Sequence, residues 1–307
     1  WLVLPVLAGV VLSQVRTIID FRFASTMGKG SIAGLGYARG LIDTMILLVP
    51  AALGVAIYPF FSDLAAKNEK AELAATLMHS LRMLAFLFIP LAVGLILLHD
   101  PIIRLVFERG KFSADSVGLT TGPLFCFALG LPSFAFETII VMLFFALKDT
   151  RTPVIVGVVT LVCHVGLIIG LREGLMHNSI ALAYTLSKSL KVVVLMVLLA
   201  QLKGFDLQMR NNLLRLAKML LCAALMAGIV YMAWRWLSGH VTIPLDAGKL
   251  RKTLSLGGML GAVVLAGIFV YAACAILLGL EEAKYLFARL KRSRVGSHAE
   301  NRDSGNS

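Results

Sequence analysis

Eight long apolar stretches, separated by short polar segments, dominate the pattern of this chain. A helix that crosses a membrane needs about 20 mostly apolar residues, and each stretch approaches or exceeds that length. The pattern therefore predicts an all-α, polytopic membrane protein with eight transmembrane helices. The stretches are residues 2–25, 34–62, 76–98, 117–147, 152–171, 179–201, 211–236 and 254–280.

The polar punctuation between and within these stretches predicts local features. Residues 99–115 are amphipathic and too short to span, which favours a short helix near the membrane plane on the periplasmic face. Pro50 and Pro90 lie inside apolar stretches. Because proline removes a backbone hydrogen bond, each favours a kink in its helix.

Composition agrees with a membrane protein. Of 307 residues, 59% are hydrophobic, against roughly 45–50% in soluble domains, and the mean hydropathy is +0.87. The chain begins with Trp1, and no signal-peptide pattern precedes the first apolar stretch. We therefore expect a fragment that lacks its N-terminal part.

The formal net charge of +12 bears on the orientation of the chain in the membrane. The loops at 63–75, 147–152 and 202–215, together with the tail, are richer in Lys and Arg than the loops of the opposite side. Such loops lie in the cytoplasm by the positive-inside rule, so the C-terminus is expected there. The basic residues suit an anionic lipid surface rather than nucleic acid.

The first apolar stretch contains an unexpected group of charges, in the sequence SQVRTIIDFRFAS at 13–25. A charge at the bilayer centre costs about 2.5–3.5 kcal/mol on insertion scales, so it needs a partner or a cavity. At 100° per residue, Arg16 and Asp20 share one helix face and can pair. Arg22 points nearly the opposite way, but it is close enough to the helix end to snorkel.

Three further stretches repeat this theme. Arg39 and Asp43 are again four residues apart, Glu137 lies about 15 Å from its helix end, and Lys188 and Lys191 share a face. Any one pair is equally consistent with a structural salt bridge. The whole set, in which cations outnumber carboxylates, favours a cavity for an anionic ligand. The candidate transport residues are Arg16, Asp20, Arg22, Arg39, Asp43, Glu137, Lys188 and Lys191.

Signals for catalysis or metal binding are poor. The chain lacks the HExxH, GxSxG and phosphate-loop motifs, so we expect neither an enzyme nor a resident cofactor. His164 is the one histidine deep in an apolar stretch. It fits either a neutral core histidine or a polar ligand or proton-relay group. The four cysteines lie in separate stretches and are interpreted as small buried hydrophobes.

Four segments together resemble the MurJ/MviN family of lipid II flippases. They are the Q-x5-D-x3-AS pattern at 14–25, YARGLID…GVAIYPFFSDLA at 37–65, IIRLVFERGKF at 102–112 and ALKDTRTPV at 146–154. The resemblance covers nearly all of residues 1–280. It implies a fourteen-helix transporter of the multidrug/oligosaccharidyl-lipid/polysaccharide exporter superfamily.

The same resemblance implies a domain organisation. Residues 1–201 would form the second six-helix lobe, and residues 202–280 two additional helices with a groove for the lipid tail. Residues 281–307 would form a charged cytoplasmic tail that is disordered at its end. The first lobe would then be missing, as the absence of a starting Met also indicates.

The function implied is to flip the undecaprenyl-diphosphate-linked peptidoglycan precursor across the bacterial inner membrane by alternating access, for cell-wall biogenesis and cell shape. The partners would be that precursor and membrane lipids, with no nucleic acid and a monomeric state. The membrane potential or an ion gradient would supply energy. The alternative is an exporter of another lipid-linked oligosaccharide or of a drug, and a non-transporting scaffold is a third option.

The chain also departs from the family pattern. Members often have Asp-Arg after Tyr-Ala, where this chain has Arg39-Gly40. Sodium-binding members use an acid on the first helix of this lobe, which makes Asp20 a weak sodium candidate. Two interpretations stay open for Lys188 and Lys191. Either a lysine replaces the ion by pairing with Asp20, or both bind the cargo's diphosphate.

Overall fold

The structure, a computed structural model, describes residues 3–110, 112–202, 204–240 and 249–283. Within these ranges the chain is helical and contains no strand. A π-helical turn at Leu47–Ala51 joins α2 to α3. The helices are α1 (Val3–Ala24), α2 (Ser31–Ile46), α3 (Ala52–Ala66), α4 (Lys70–Phe107), α5 (Ala114–Ala146), α6 (Arg151–Leu175), α7 (Asn178–Ala200), α8 (Met209–His240) and α9 (Lys249–Leu277).

In the described part of the chain, seven helical segments are long and apolar enough to cross a membrane. Helices α2 and α3 count as one of them, Ser31–Ala66, and α4 to α9 provide the other six. The sequence predicted eight spanning helices. Helix α1, with 22 residues, is the one predicted span that is not among these seven. The prediction of an all-α polytopic membrane protein is confirmed.

Prolines explain the two irregular places in these helices. Pro50 lies inside the π-helical turn, where the wider turn accommodates the missing N–H group. In α4 the backbone leaves helical geometry at Leu98, with φ −112° and ψ 18°. This residue precedes Pro101 by three positions and lies well beyond Pro90, where a kink was expected.

This break bears on the prediction for the 99–115 segment. The kink at Leu98 separates the long part of α4 from a short helical piece that ends at Phe107, in agreement with the predicted short helix. The C-cap of this piece is Glu108, and α5 begins after the N-cap Ser113. Its depth and tilt relative to the membrane plane stay a prediction.

Helix α1 buries polar side chains and exposes apolar ones, which is the reverse of a helix in a soluble protein. Among its described side chains only Arg16, Asp20 and Ala24 are buried, at successive four-residue spacings. Apolar side chains such as Val11 and Ile18 are exposed. Helix α1 therefore joins its neighbours through its polar stripe.

Two apolar clusters lie on either side of α4. The first contains buried residues of α1 to α7 and of the segment that precedes α8. The second joins another face of α4 to α8 and α9, through residues such as Ala85, Cys222 and Val263. The predicted boundary at 201/202 falls in the connection between α7 and α8. The assignment of residues 202–280 to a separate unit stays a prediction.

A close helix approach gives a test of the packing. A Cβ atom on Gly34 of α2 would lie 2.4 Å from the backbone oxygen of Leu119 in α5, whereas one on Gly36 would meet nothing within 4 Å. We expect Gly34→Ala to destabilise the protein by about 1–3 kcal/mol, as overpacking does. Gly36→Ala should be neutral or slightly stabilising. Thermal unfolding of the two variants in detergent measures this, and equal midpoints would contradict the α2–α5 contact.

Candidate transport site

The carboxylate of Asp20 lies at the junction of three helices. Its side chain is 2% exposed, and Oδ2 accepts a hydrogen bond of 3.1 Å from Nη1 of Arg39 on α2. Oδ1 lies 2.7 Å from Nε2 of His164 on α6. Because an ionised carboxylate only accepts, Nε2 is the donor of this bond. Asp20 therefore links α1 to both α2 and α6.

His164 is thus a polar partner rather than an inert core residue. It is fully buried, and its Nδ1 atom has no hydrogen-bond partner among the described residues. The sequence placed His164 deep in an apolar stretch but gave no indication of its partner. Only the packing of α1 against α6 shows that the imidazole reaches Asp20.

The ring of Tyr184 on α7 gathers three cations. The guanidinium carbon of Arg39 lies 4.8 Å from the ring centroid, that of Arg16 lies 5.4 Å away, and Nζ of Lys188 lies 5.6 Å away. All three distances fall within the range of cation–π attraction. Arg16 also donates from Nη1 to Oγ of Ser187, at 3.1 Å. The predicted polar faces of α1, α2 and α7 therefore converge.

Glu137 on α5 bridges both lysines of α7. Its Oε2 atom accepts from Nζ of Lys188 at 2.6 Å, and its Oε1 atom from Nζ of Lys191 at 2.7 Å. Of the two interpretations left open, the one in which a lysine pairs with Asp20 is therefore wrong for this structure. Asp20 is already bound by α2 and α6, and the α5–α7 contact brings Glu137 to the lysines instead.

The predicted i,i+4 pairs have different outcomes. Arg39 and Asp43 do form one, with Nε 3.6 Å from Oδ2. Arg16 and Asp20 are both buried on one face but bind other helices rather than each other. Arg22 lies outside the cluster on the exposed side of α1, consistent with its predicted position opposite Arg16.

The electrostatic balance of the cluster is positive. Four cationic side chains face three carboxylates, counting only the predicted residues that the structure brings together. The side chain of Asp43 is 61% exposed, so water screens its charge more than that of the more buried members. The partly buried cations of the cluster are therefore suited to an anion. The members are Arg16, Arg39, Lys188 and Lys191 with Asp20, Asp43 and Glu137.

The sodium interpretation of Asp20 does not fit the cluster. Hard cations prefer several oxygen ligands, but both carboxylate oxygens of Asp20 accept from nitrogen donors of Arg39 and His164. Within the described ranges, no group of three or more His, Cys, Asp or Glu residues could hold a metal ion. The four cysteines are free in the described structure.

A second buried ionic contact was missed by sequence reasoning. Nε of Arg82 on α4 lies 3.2 Å from Oε1 of Glu282, which is 2% exposed in its side chain, and Nη1 of Arg215 on α8 lies 3.7 Å from the same oxygen. Glu281 also contacts Arg215. The sequence assigned Glu282 to the tail at 281–307, of which residues 284–307 lie outside the described residues.

Two cavities lie away from the charged cluster. One of about 330 Å³ is lined almost entirely by apolar side chains of α4, α5, α7 and α8, with Arg82 and Asn212 among its lining residues. Another of about 480 Å³ is lined by α2 together with residues 107–120, and includes Tyr37, Phe107 and Arg109.

Long apolar helices with a cluster of paired and mostly buried charges between them define a class of protein, a multi-pass membrane protein. The family model described as "Lipid II flippase MurJ" matches residues 2–243. The chain belongs to this family.

Curated relatives agree with that assignment. A probable lipid II flippase MurJ from Rhizobium tropici is 32% identical over 92% of this chain and 51% of its own length. The corresponding proteins of Bdellovibrio bacteriovorus and Vibrio cholerae are 29% and 28% identical, and cover 94% and 91% of this chain. The chain spans about half the length of the curated relatives it matches.

Solved structures support the fold. A lipid II flippase MurJ in an inward closed conformation matches with a TM-score of 0.70 at 24% identity, over 87% of this chain and 51% of that protein. A multidrug resistance MATE family transporter of the MOP superfamily matches with a TM-score of 0.58 at 17% identity, over 89% of this chain and 63% of that protein. The fold is thus shared with both of these proteins.

The position of Asp20 gives a second test. Asp20→Asn removes a negative charge that Arg39 and His164 share in a buried setting, and breaking such a pair costs about 3–5 kcal/mol. We expect a large fall in the unfolding midpoint of the purified protein. Asp63→Asn, which disrupts an exposed pair with Lys67, should change it little. Similar midpoints for both variants would show that Asp20 does not hold the helices together.

Proposed function

We propose that this chain is part of a transporter that moves lipid II from the inner to the outer leaflet of the bacterial cytoplasmic membrane. The observation that carries the proposal is the converging cluster of four cations and three carboxylates inside apolar helices. The diphosphate of lipid II is an anion that such a site would help to desolvate. Family membership supplies the cargo's identity.

The membrane potential acts on a charged cargo and is a candidate source of energy for its transport. An inside-negative membrane potential drives anions outward, by about 2.3 kcal/mol per charge per 100 mV. The proposal includes this potential, or an ion gradient, as the driving force. It requires neither a catalytic step nor a resident cofactor, and it treats the full-length protein as a monomer.

A drug exporter of the same superfamily is the weaker alternative. The fold resembles a multidrug resistance transporter, but a site with surplus positive charge repels cationic drugs. The excess of cations over the three carboxylates Asp20, Asp43 and Glu137 therefore favours an anionic, lipid-linked cargo. The proposed groove for the lipid tail between the two additional helices follows from the family resemblance.

Loss of Arg16 tests the cargo function. In a strain depleted of its lipid II flippase, the complete gene should restore growth, whereas Arg16→Ala should not, because it removes a cation of the central cluster. Arg151→Ala, at an exposed position that begins α6, should still restore growth. Membrane levels of each variant are measured by immunoblot. Growth with Arg16→Ala at normal levels would contradict the role of Arg16.

The orientation has its own test. We propose that the C-terminus is cytoplasmic, which places Ser113 outside and Asn68, in the α3–α4 turn, inside. In a cysteine-free background, Ser113→Cys should react with a membrane-impermeant maleimide in intact spheroplasts. Asn68→Cys should react only after the membrane is opened. The reverse pattern would invert the topology.

A further inference from the structure

Lys188 and Lys191 bind the two oxygens of a single carboxylate. Each lysine takes a different oxygen of Glu137, at 2.6 and 2.7 Å. We propose that the two lysines form a phosphate-binding seat that Glu137 occupies in the unloaded protein, so that a phosphate of the cargo must displace this carboxylate. The inference rests on the proposed function and adds a specific role for Glu137.

The chemistry of the three groups fits such an exchange. An ammonium group has three donors and no acceptor, so each lysine binds carboxylate and phosphate oxygens in the same way. A phosphate offers a pair of anionic oxygens that can replace Oε1 and Oε2 of Glu137, with charge-assisted bonds of similar length. The diphosphate carries more negative charge than the single carboxylate and so competes for both lysines.

The partners differ in exposure. The side chains of Lys188 and Lys191 are 24% and 15% exposed, whereas that of Glu137 is 10% exposed. The lysines therefore keep more accessible surface than the carboxylate that they bind, and the proposal takes the anion to approach from this lysine side.

A displaced Glu137 needs another cation, because an unpaired buried carboxylate is costly. Arg16 lies beside the same Tyr184 ring as Lys188, with its guanidinium carbon 5.4 Å and the lysine Nζ 5.6 Å from the ring centroid. Its hydrogen bond goes to the neutral hydroxyl of Ser187, the residue before Lys188, and a guanidinium has five donors. Arg16 is thus placed to receive the carboxylate that the cargo releases.

This competition would set the affinity of the site. A ligand shifts an equilibrium only by its difference in affinity between two states, and Glu137 reduces the net gain when phosphate binds. Release is correspondingly easier, because Glu137 returns to the lysines as the phosphate leaves. Without this carboxylate the paired lysines would hold the diphosphate too firmly for rapid turnover.

The test compares Glu137→Gln with wild type in the complete gene product, reconstituted in nanodiscs. Glutamine keeps the size of the side chain and removes its charge. We expect Glu137→Gln to bind undecaprenyl diphosphate about tenfold more tightly than wild type, and to flip lipid II more slowly at saturating cargo in proteoliposomes. Inorganic pyrophosphate, measured in parallel, distinguishes recognition of the phosphates from a requirement for the lipid chain.

Two control variants keep the result interpretable. Asp63→Asn removes an exposed carboxylate that pairs with Lys67, and should leave binding unchanged. The triple variant Glu137→Gln/Lys188→Gln/Lys191→Gln removes the seat without leaving an unpaired buried charge. It should lose the tight binding that Glu137→Gln gains. Thermal midpoints confirm that each variant is folded.

The outcomes separate this inference from the proposed function. Equal or weaker binding by folded Glu137→Gln, while wild type flips lipid II, would overturn the displacement role alone. Tighter binding of both probes, without lipid II flipping by wild type, would support the phosphate seat and contradict the cargo assignment. Tight binding that survives in the triple variant would place the anion elsewhere and overturn the seat.

Discussion

The bonds of Asp20 are the constraint on which the position of α1 depends. Lipid tails are as apolar as the helix surfaces, so helices in a bilayer gain little free energy by burying apolar area. They associate through close packing and polar contacts instead. Helix α1 buries Arg16, Asp20 and Ala24 and exposes its apolar side. The bonds from Asp20 to α2 and α6, and from Arg16 to α7, therefore attach this helix to the lobe. The same charges that make α1 an unusual membrane helix give it its partners.

Tyr184 has a different role from the carboxylates, because its ring attracts cations without neutralising them. Arg39 and Lys188 each also pair with a carboxylate, which cancels charge, whereas an aromatic face stabilises a nearby cation through its quadrupole and leaves the net charge unchanged. The ring lies within 4.8 to 5.6 Å of all three cations. The cluster can thus remain folded around a positive surplus, which is the property that an anion-binding site needs.

Helical periodicity predicts faces well and partners poorly. The 100° rotation per residue correctly placed Arg16 with Asp20 and Arg22 on the other side, because it depends only on local geometry. The Lys–Asp20 pair, one of two interpretations that the sequence left open, was wrong because the choice of partner depends on which helices touch. Packing of α5 against α7 brings Glu137 to the lysines, and nothing in the local sequence of either helix specifies that contact. The buried position of Glu282 was missed for the same reason.

Helix α4 connects α8 and α9 to the other helices through apolar packing and through charge. One face of α4 packs in the apolar cluster that contains residues of α1 to α7, and another face packs in the cluster with α8 and α9. Arg82 on α4 and Arg215 on α8 both contact the buried Glu282 that follows α9. Separating α8 and α9 from α4 would remove Arg82 from Glu282 and leave this buried carboxylate with the longer contact to Arg215 alone, at 3.7 Å. Losing the closer partner of a buried carboxylate is costly, so this ionic contact couples α8 and α9 to α4 in addition to the apolar packing.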